Sequence, residues 1–166
     1  MSIELRPATE AAIRRFATWR YEPPYDAYDI VESPDEAVAY FIQPEIRCHT
    51  LWDGSDIVGY ATFGEDAQVP GGDYSGDGID IGLGIDPDRT GLGNGHRYVA
   101  AVVAHAGATF EHQELRVTVA AGNARALYVW SGAGFAETSR FATSRTILGS
   151  NEFVILSLDS LNADTP

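Results

Sequence analysis

Residues 79–110 read IDIGLGIDPDRTGLGNGHRYVAAVVAHAGATF and predict a strand, a glycine-rich turn and a long helix in direct succession. Apolar residues alternate with glycine and aspartate over residues 79–85, which is the period of a strand with one buried face. Pro87 ends that strand. Apolar residues then recur at helical spacing as far as Phe110, so the predicted helix begins where the glycines end.

Three glycines occupy alternate positions in the turn, at Gly91, Gly93 and Gly95. Without a Cβ, glycine adopts positive φ at little cost and lets backbone N–H groups come close to a ligand. The turn also opens a helix, whose N-terminus carries partial positive charge and unpaired donors. The sequence therefore predicts a binding site for phosphate or pyrophosphate at the start of this helix.

Two common phosphate-binding motifs are excluded. The phosphate loop of nucleoside triphosphatases needs a lysine after its last glycine, and the chain contains no lysine. The dinucleotide fingerprint GxGxxG needs a third glycine, but Pro87, His96 and Tyr98 stand at the positions that would complete it.

The strand ending LGIDP and the turn GLGNG instead resemble the acetyl-CoA-binding motif of the GNAT superfamily of N-acetyltransferases. The usual form of that motif is Gln or Arg, two residues, Gly, one residue, and Gly or Ala. Gly93 and Gly95 fit the last two positions. Thr90 stands at the first position and departs from the pattern, and the neighbouring Arg89 is a candidate to compensate for the missing long polar side chain.

A second signature of the family follows. Residues 123–128, NARALY, and the later Gly134-Phe135 are similar to its Asn, Ala, Leu-Tyr, Gly-Phe pattern. The resemblance implies an α/β (α+β) fold: a mixed, mostly antiparallel central sheet of six or seven strands, about four flanking helices, and splayed strands at the acetyl-CoA site. With 166 residues, 45% of them hydrophobic, we expect residues 1–166 to form a single domain.

The resemblance also implies where acetyl-CoA binds. Backbone groups of Leu83 and Ile85 would bind the pantetheine arm, and the amides of residues 91–95 would bind the pyrophosphate. The full set of implied contacts comprises Leu83, Gly84, Ile85, Arg89, Thr90, Gly91, Leu92, Gly93, Asn94, Gly95, His96, Asn123, Ala126 and Tyr128.

Acetyl transfer to an amine needs a neutral nucleophile, a polarised thioester carbonyl and a proton for the departing thiolate. Tyr128 matches the position of the family's usual general acid, and the alternative is a helix tyrosine that packs on the sheet. Asp80, on the strand, and Glu65, in the connection before it, are the candidate general bases.

The acceptor site is predicted in residues 20–29, RYEPPYDAYD, where two prolines forbid a continuous helix. In the family this segment commonly borders the acceptor pocket, so we expect Tyr21, Tyr25, Tyr28 and Asp29 to contact the acceptor. The alternative is that the tyrosines only cover the edge of the core. Residues 64–78, rich in glycine and acidic residues, are expected to form a long mobile loop opposite them.

Charge and composition exclude several functions. The formal net charge is −13, with 24 acidic residues against 11 basic residues, which disfavours nucleic acid and favours a cationic acceptor. No apolar run approaches membrane-spanning length, and no basic, apolar leader opens the chain, so we expect a cytoplasmic protein. The single Cys48 is predicted to be a core residue, and His49, His96, His105 and His112 lack zinc-ligand spacing, so we expect no metal.

The resemblance implies acetyl-CoA and an amine as partners, and it leaves a homodimer open. Protein N-termini, polyamines, aminoglycosides and amino acids all stay possible acceptors. A different class of function is a GNAT-like module that binds acyl-CoA as a sensor without turnover.

Periodicity, caps and turn signals predict the other elements. They are a strand at 3–5, a helix at 9–19, a helix from Ser33-Pro34 to residue 41, strands at 47–52 and 56–63, a strand at 115–119, a helix at 124–132 capped by Asn123, and strands at 135–141 and 153–158.

Overall fold

A computed structural model describes residues 2–111 and 114–159. Within these ranges the chain forms, in order, β1 (Ile3–Pro7), α1 (Glu10–Phe16), α2 (Pro34–Phe41), β2 (His49–Asp53), β3 (Asp56–Phe63), β4 (Gly78–Ile85), α3 (Gly95–Thr109), β5 (Glu114–Ala120), α4 (Ala124–Gly132), β6 (Ala136–Ile147) and β7 (Ser150–Asp159). Short 3-10 helices lie in the connections, at Tyr25–Tyr28, Pro44–Ile46, Glu65–Ala67 and Pro87–Arg89.

The strands form one sheet in the order β1-β2-β3-β4-β5-β7-β6. Each neighbouring pair is antiparallel except β4 and β5, which run parallel. A parallel pair needs a long crossover connection, and α3 supplies it. This mixed, mostly antiparallel sheet with four helices confirms the predicted fold class.

The parallel pair β4–β5 separates part-way along the sheet. The two strands pair only from Gly78 opposite Glu114 to Ile81 opposite Val117. On its other edge β4 stays paired with β3 as far as Ile85, and β5 stays paired with β7 over its whole length. The facing edges of residues 82–85 and 118–120 therefore lack a strand partner, and this opening is the predicted splay.

The two largest apolar clusters of the described residues lie against the two faces of the sheet. Tyr98, Val102 and Leu115 are among the most deeply buried residues of the larger cluster, which joins the sheet to α3 and α4. The smaller cluster, under α1 and α2, includes Phe16, which stacks on Tyr60 with 4.0 Å between ring centroids. Fully burying a large apolar side chain stabilises a fold by roughly 1.5–3 kcal/mol, so these clusters hold the helices to both faces.

Side-chain caps set the start of most helices, as predicted. Ser33 and Glu36 form a capping box at α2, and the Asn123 side chain accepts a hydrogen bond from the Ala126 N–H at the start of α4. The start of α3 differs, because Asn94 makes no side-chain capping bond. The Arg97 N–H donates to the Asn94 carbonyl at 3.0 Å, so the amides of Gly95 and His96 are the ones left to a ligand or to water.

Several elements differ in extent from the prediction. Helix α1 ends at Phe16, and the hairpin of β6 and β7 is longer than its apolar pattern indicated. The predicted mobile loop, residues 64–78, contains the 3-10 helix Glu65–Ala67 and is anchored to the sheet. The Tyr74 hydroxyl accepts a hydrogen bond from the Val69 N–H at 2.9 Å and lies 2.8 Å from the Thr118 hydroxyl.

Candidate active site

A cleft of about 1200 Å³ opens where β4 and β5 part. Both strands line it, together with the glycine-rich turn, the first turn of α3, and α4. Tyr21, Tyr25 and Tyr28, from the connection between α1 and α2, also line it. Elements predicted separately from the sequence therefore meet at one site.

The glycine-rich turn has the backbone that its sequence predicts. Gly91 has a φ of 73° and Gly93 a φ of 79°, a region that side-chain-bearing residues seldom adopt. A Cβ on Gly93 would meet no atom within 4 Å, so this position faces open space. Gly95 has a second reason to be glycine, because a Cβ there would lie 3.2 Å from Val129 Cγ2 and push α3 away from α4.

The open edge of β4 presents backbone hydrogen-bonding groups to the cleft. Hydrogen bonds to the β3 side of the strand are made by the carbonyl of Asp80 and by the N–H group of Asp86. Because these groups alternate along a strand, Leu83 and Ile85 direct theirs toward the gap. The Ile85 carbonyl is already occupied, since the Tyr21 hydroxyl donates to it at 2.6 Å.

Four tyrosines shape the side of the cleft nearest α1 and α2, namely Tyr21, Tyr25, Tyr28 and Tyr60. Burial raises the pKa of Tyr21 and Tyr28 above the usual tyrosine value, so both hydroxyls stay protonated. The Tyr28 hydroxyl accepts a hydrogen bond from Asn123 Nδ2 at 3.2 Å. Tyr60, on β3, also lines the cleft and was not predicted. A Cβ on Gly84 would lie 2.6 Å from Tyr60 Cζ, so the ring covers that glycine.

The sequence matches the model of the acetyltransferase (GNAT) family over residues 11–135, most of the chain. The chain belongs to the GNAT acetyltransferase family. The predicted resemblance is thereby confirmed. No curated protein matches the sequence of this acetyltransferase.

Solved structures share the fold of this acetyltransferase at low identity. A spermidine N-acetyltransferase SpeG chimera from Vibrio cholerae and hSSAT has a TM-score of 0.81 and 16% identity, with 100% of each chain covered. Vibrio cholerae spermidine N-acetyltransferase in complex with CoA and spermine has a TM-score of 0.78 and 16% identity, with 98% of each chain covered. Salmonella typhimurium yncA with its cofactor acetyl-CoA has a TM-score of 0.69 and 14% identity, covering 96% of this chain and 95% of that one.

Most of the predicted acetyl-CoA contacts of the acetyltransferase line the cleft, and two do not. Leu92, whose side chain is 65% exposed, and Asn94 lie outside the lining. Thr90 lines the cleft, and its hydroxyl donates to the Pro87 carbonyl at 3.0 Å. Arg89 also lines the cleft, but its guanidinium is paired with Asp56 at 3.2 Å.

A second arginine of the cleft, Arg125, was missed from the sequence. Its guanidinium carbon lies 3.9 Å from the ring centroid of Tyr25, and a Cβ on Gly91 would lie 3.7 Å from Arg125 Nη1. No carboxylate in the described part of the chain lies within ion-pair distance of it. Its place in the first turn of α4, inside the second motif, was the signal that could have identified it.

Tyr128 lies at the rim of the cleft and is 82% exposed. Trp130 lies two residues further along α4 and is 4% exposed. It packs edge-on against Phe135, with 5.0 Å between ring centroids. Residues two apart on a helix point in nearly opposite directions, so Trp130, not Tyr128, faces the core. No protein hydrogen bond within the described ranges holds the Tyr128 hydroxyl.

Neither predicted general base reaches the cleft. Asp80 is 3% exposed, and Arg116 binds both its carboxylate oxygens, through Nε at 2.8 Å and Nη2 at 2.9 Å. Gln68 donates to the same carboxylate at 2.9 Å. Glu65 is exposed and lies outside the lining. Asp29, predicted to contact the acceptor, instead accepts a hydrogen bond from the Tyr21 N–H at 2.8 Å.

Among residues 2–111 and 114–159, no group of three or more His, Cys, Asp or Glu side chains could hold a metal ion, and His112 lies outside these ranges. His96 lines the cleft. Cys48 is buried, as predicted, and burial raises the pKa of its thiol to about 12.

No helix in the described ranges is long and apolar enough to span a membrane.

Proposed function

We propose that this GNAT acetyltransferase moves the acetyl group of acetyl-CoA to a primary amine by direct attack of the amine on the thioester. The observation that carries the proposal is the meeting of two features in one cleft. The glycine-rich turn leads into the uncapped start of α3, and the unpaired edge of β4 begins beside it. The glycine-rich turn and the start of α3 suit a pyrophosphate, and the unpaired edge of β4 suits an extended chain of amides.

Acetyl-CoA would lie along the cleft from the turn to the point where the strands part. The amides of residues 91–95 would bind the pyrophosphate, and Arg125 would add a positive charge beside Gly91. The backbone of Leu83 and Ile85 would bind the pantetheine arm. The thioester would then lie near Ile81 and Val117, the last paired residues of β4 and β5.

In the proposed reaction the amine nitrogen attacks the thioester carbon, a new C–N bond forms, and the C–S bond breaks. The departing thiolate takes one proton, and the amine loses one. We assign the proton donor to Tyr128, whose hydroxyl bound CoA would cover at the rim of the cleft. Because neither Asp80 nor Glu65 lines the cleft, we assign the proton acceptor to water.

The proposal is tested by free-thiol release from acetyl-CoA with a panel of primary amines, with mass spectrometry of the acetylated amine. We expect amine-dependent thiol release and a product heavier by one acetyl group. Thiol release that does not depend on the amine would contradict direct transfer.

A second candidate is an acyl-CoA sensor without turnover. The exposure of Tyr128 favours it, because no group in the described structure fixes the predicted proton donor. Calorimetric binding of acetyl-CoA without thiol release for any amine would identify the sensor, and absence of binding would contradict both functions.

A further inference from the structure

The cleft contains little negative charge although the protein is strongly acidic. The chain has 24 Asp and Glu residues and a formal net charge of −13. In the part of the chain that the structure describes, none of these residues lines the cleft, whereas Arg89 and Arg125 do. The described lining of the cleft therefore lacks the acidic side chains that dominate the protein as a whole.

The carboxylates nearest to the lining are bound by other groups. Asp66 precedes Ala67, a lining residue, and accepts hydrogen bonds from the Thr62 hydroxyl at 2.7 Å and from the Tyr40 hydroxyl. Asp80 precedes the lining residue Ile81 and is paired with Arg116. Neither carboxylate lines the cleft, and each already has protein partners.

The other side of the cleft follows the same pattern. Asp29 is bound by the Tyr21 N–H at 2.8 Å. Asp86 follows Ile85 and accepts from the Asp88 N–H at 2.9 Å, with Arg89 Nε 3.9 Å away. Neither carboxylate lines the cleft.

Aromatic and apolar side chains occupy the end of the cleft beside β3 and the 64–78 connection. A Cβ on Gly82 would lie 3.5 Å from Ala67 Cβ, so Ala67 lies over this part of β4. Val69 and Phe153 pack in one small apolar cluster, and both line the cleft. We call Tyr21, Tyr60, Ala67, Val69 and Phe153 the apolar end.

We propose that the acceptor is a monoamine with an apolar, preferably aromatic body, and that it binds in the apolar end; polyamines are poor acceptors. This inference rests on the proposed function, since it names the substrate class of the same site. It sets the protein apart from the Vibrio cholerae enzyme of similar fold, whose structure contains spermine.

The physical reason is the cost of burying charge. A polyamine acetylated at one end still carries ammonium groups along its body, and an ammonium taken from water without a carboxylate partner is strongly disfavoured. A monoamine has no second charge, and an apolar lining favours the neutral amine that attacks the thioester.

The first experiment compares phenethylamine, hexylamine and spermidine as acceptors for the wild-type protein at saturating acetyl-CoA. We expect kcat/KM to be highest for phenethylamine and at least about tenfold lower for spermidine, because of the unpaired ammonium groups. A kcat/KM for spermidine equal to or above that for phenethylamine would overturn the inference.

Calorimetry with the CoA-bound protein separates this inference from the proposed function. The inference expects phenethylamine to bind more tightly than spermidine whether or not turnover occurs. Tighter binding of phenethylamine than of spermidine, without thiol release, would contradict the proposed function but support the assigned ligand class. Tighter binding of spermidine would overturn the ligand class.

The second experiment places a carboxylate in the apolar end. Ala67→Asp should raise kcat/KM for spermidine relative to phenethylamine by about tenfold, because the new charge pairs with a buried ammonium. Val31→Asp adds the same charge at a position that is 86% exposed and outside the cleft, and it should leave the ratio unchanged. An unchanged ratio in a folded Ala67→Asp protein would overturn the placement of the acceptor.

Discussion

The substitution Asp80→Asn tests the buried ion pair and the predicted role of Asp80 together. Asp80 and Arg116 have side chains that are each 4% exposed, and two hydrogen bonds of 2.8 and 2.9 Å join them. Breaking a buried pair by removing one charge costs about 3–5 kcal/mol, because the other charge stays buried. Asparagine keeps one acceptor oxygen, and Glu114 lies 3.5 Å from Arg116 Nη1. We therefore expect a loss near the lower limit, about 3 kcal/mol.

The assay is urea unfolding, with kcat for thiol release measured on the same preparation at a temperature where both proteins are folded. Asp77→Asn is the matched control: Asp77 is exposed immediately before β4, and its replacement should change the free energy of unfolding by less than about 0.5 kcal/mol. Because Asp80 does not line the cleft, we expect kcat to stay within a few-fold. A loss of stability below about 1 kcal/mol would refute the reasoning about the ion pair. A kcat lowered by about a hundredfold in a folded variant would show that Asp80 acts as the base.

Three further predictions concern the glycine-rich turn, the rim of the cleft and the pH dependence of stability. Gly93→Val should weaken acetyl-CoA binding in calorimetry by at least about tenfold through lost hydrogen bonds to phosphate, whereas Gly76→Val, also at positive φ and outside the cleft, should leave it unchanged. Tyr128→Phe should lower kcat by about 10² to 10⁴ with acetyl-CoA affinity retained, and a kcat within about threefold of wild type would reject its role as general acid. Burial and the neighbouring His49 lower the pKa of His105, so the stability this residue contributes is complete above its unfolded pKa of about 6.5 and is lost as the pH falls toward the lowered folded pKa. Melting temperatures from pH 8 to pH 5 should fall less in His105→Gln than in wild type, and parallel curves would contradict this.

Local chemistry made the framework predictable from the sequence. The start of α4 depends on Asn123 and the amide of Ala126, three residues away, so one side chain defines it. Ser33 and Glu36 define α2 in the same way. The glycine pattern before α3 identified the turn because positive φ at Gly91 and Gly93 is a property of those residues themselves.

The side chains around the cleft were harder to predict because their environment depends on contacts between distant segments. The sequence suggests Asp80 as a base, but it does not show that the register of β4 and β5 places Arg116 directly opposite it. Tyr60 enters the cleft because β3 places it opposite Gly84, and neither residue signals this alone. The motif located Tyr128 on α4 but could not say which way the helix turns, and that rotation leaves the side chain exposed.

The hydrogen bond between the Tyr21 hydroxyl and the Ile85 carbonyl bears on the order in which the two substrates bind. In the proposed binding mode, an amide of the pantetheine arm would donate to that carbonyl, and an amide that took the place of the Tyr21 hydroxyl would release it. The freed hydroxyl then becomes available to a group in the apolar end, which includes Tyr21. One backbone oxygen shared in this way would make the acceptor site complete only after acetyl-CoA has bound, giving a sequential mechanism in which the cofactor enters first and CoA leaves last.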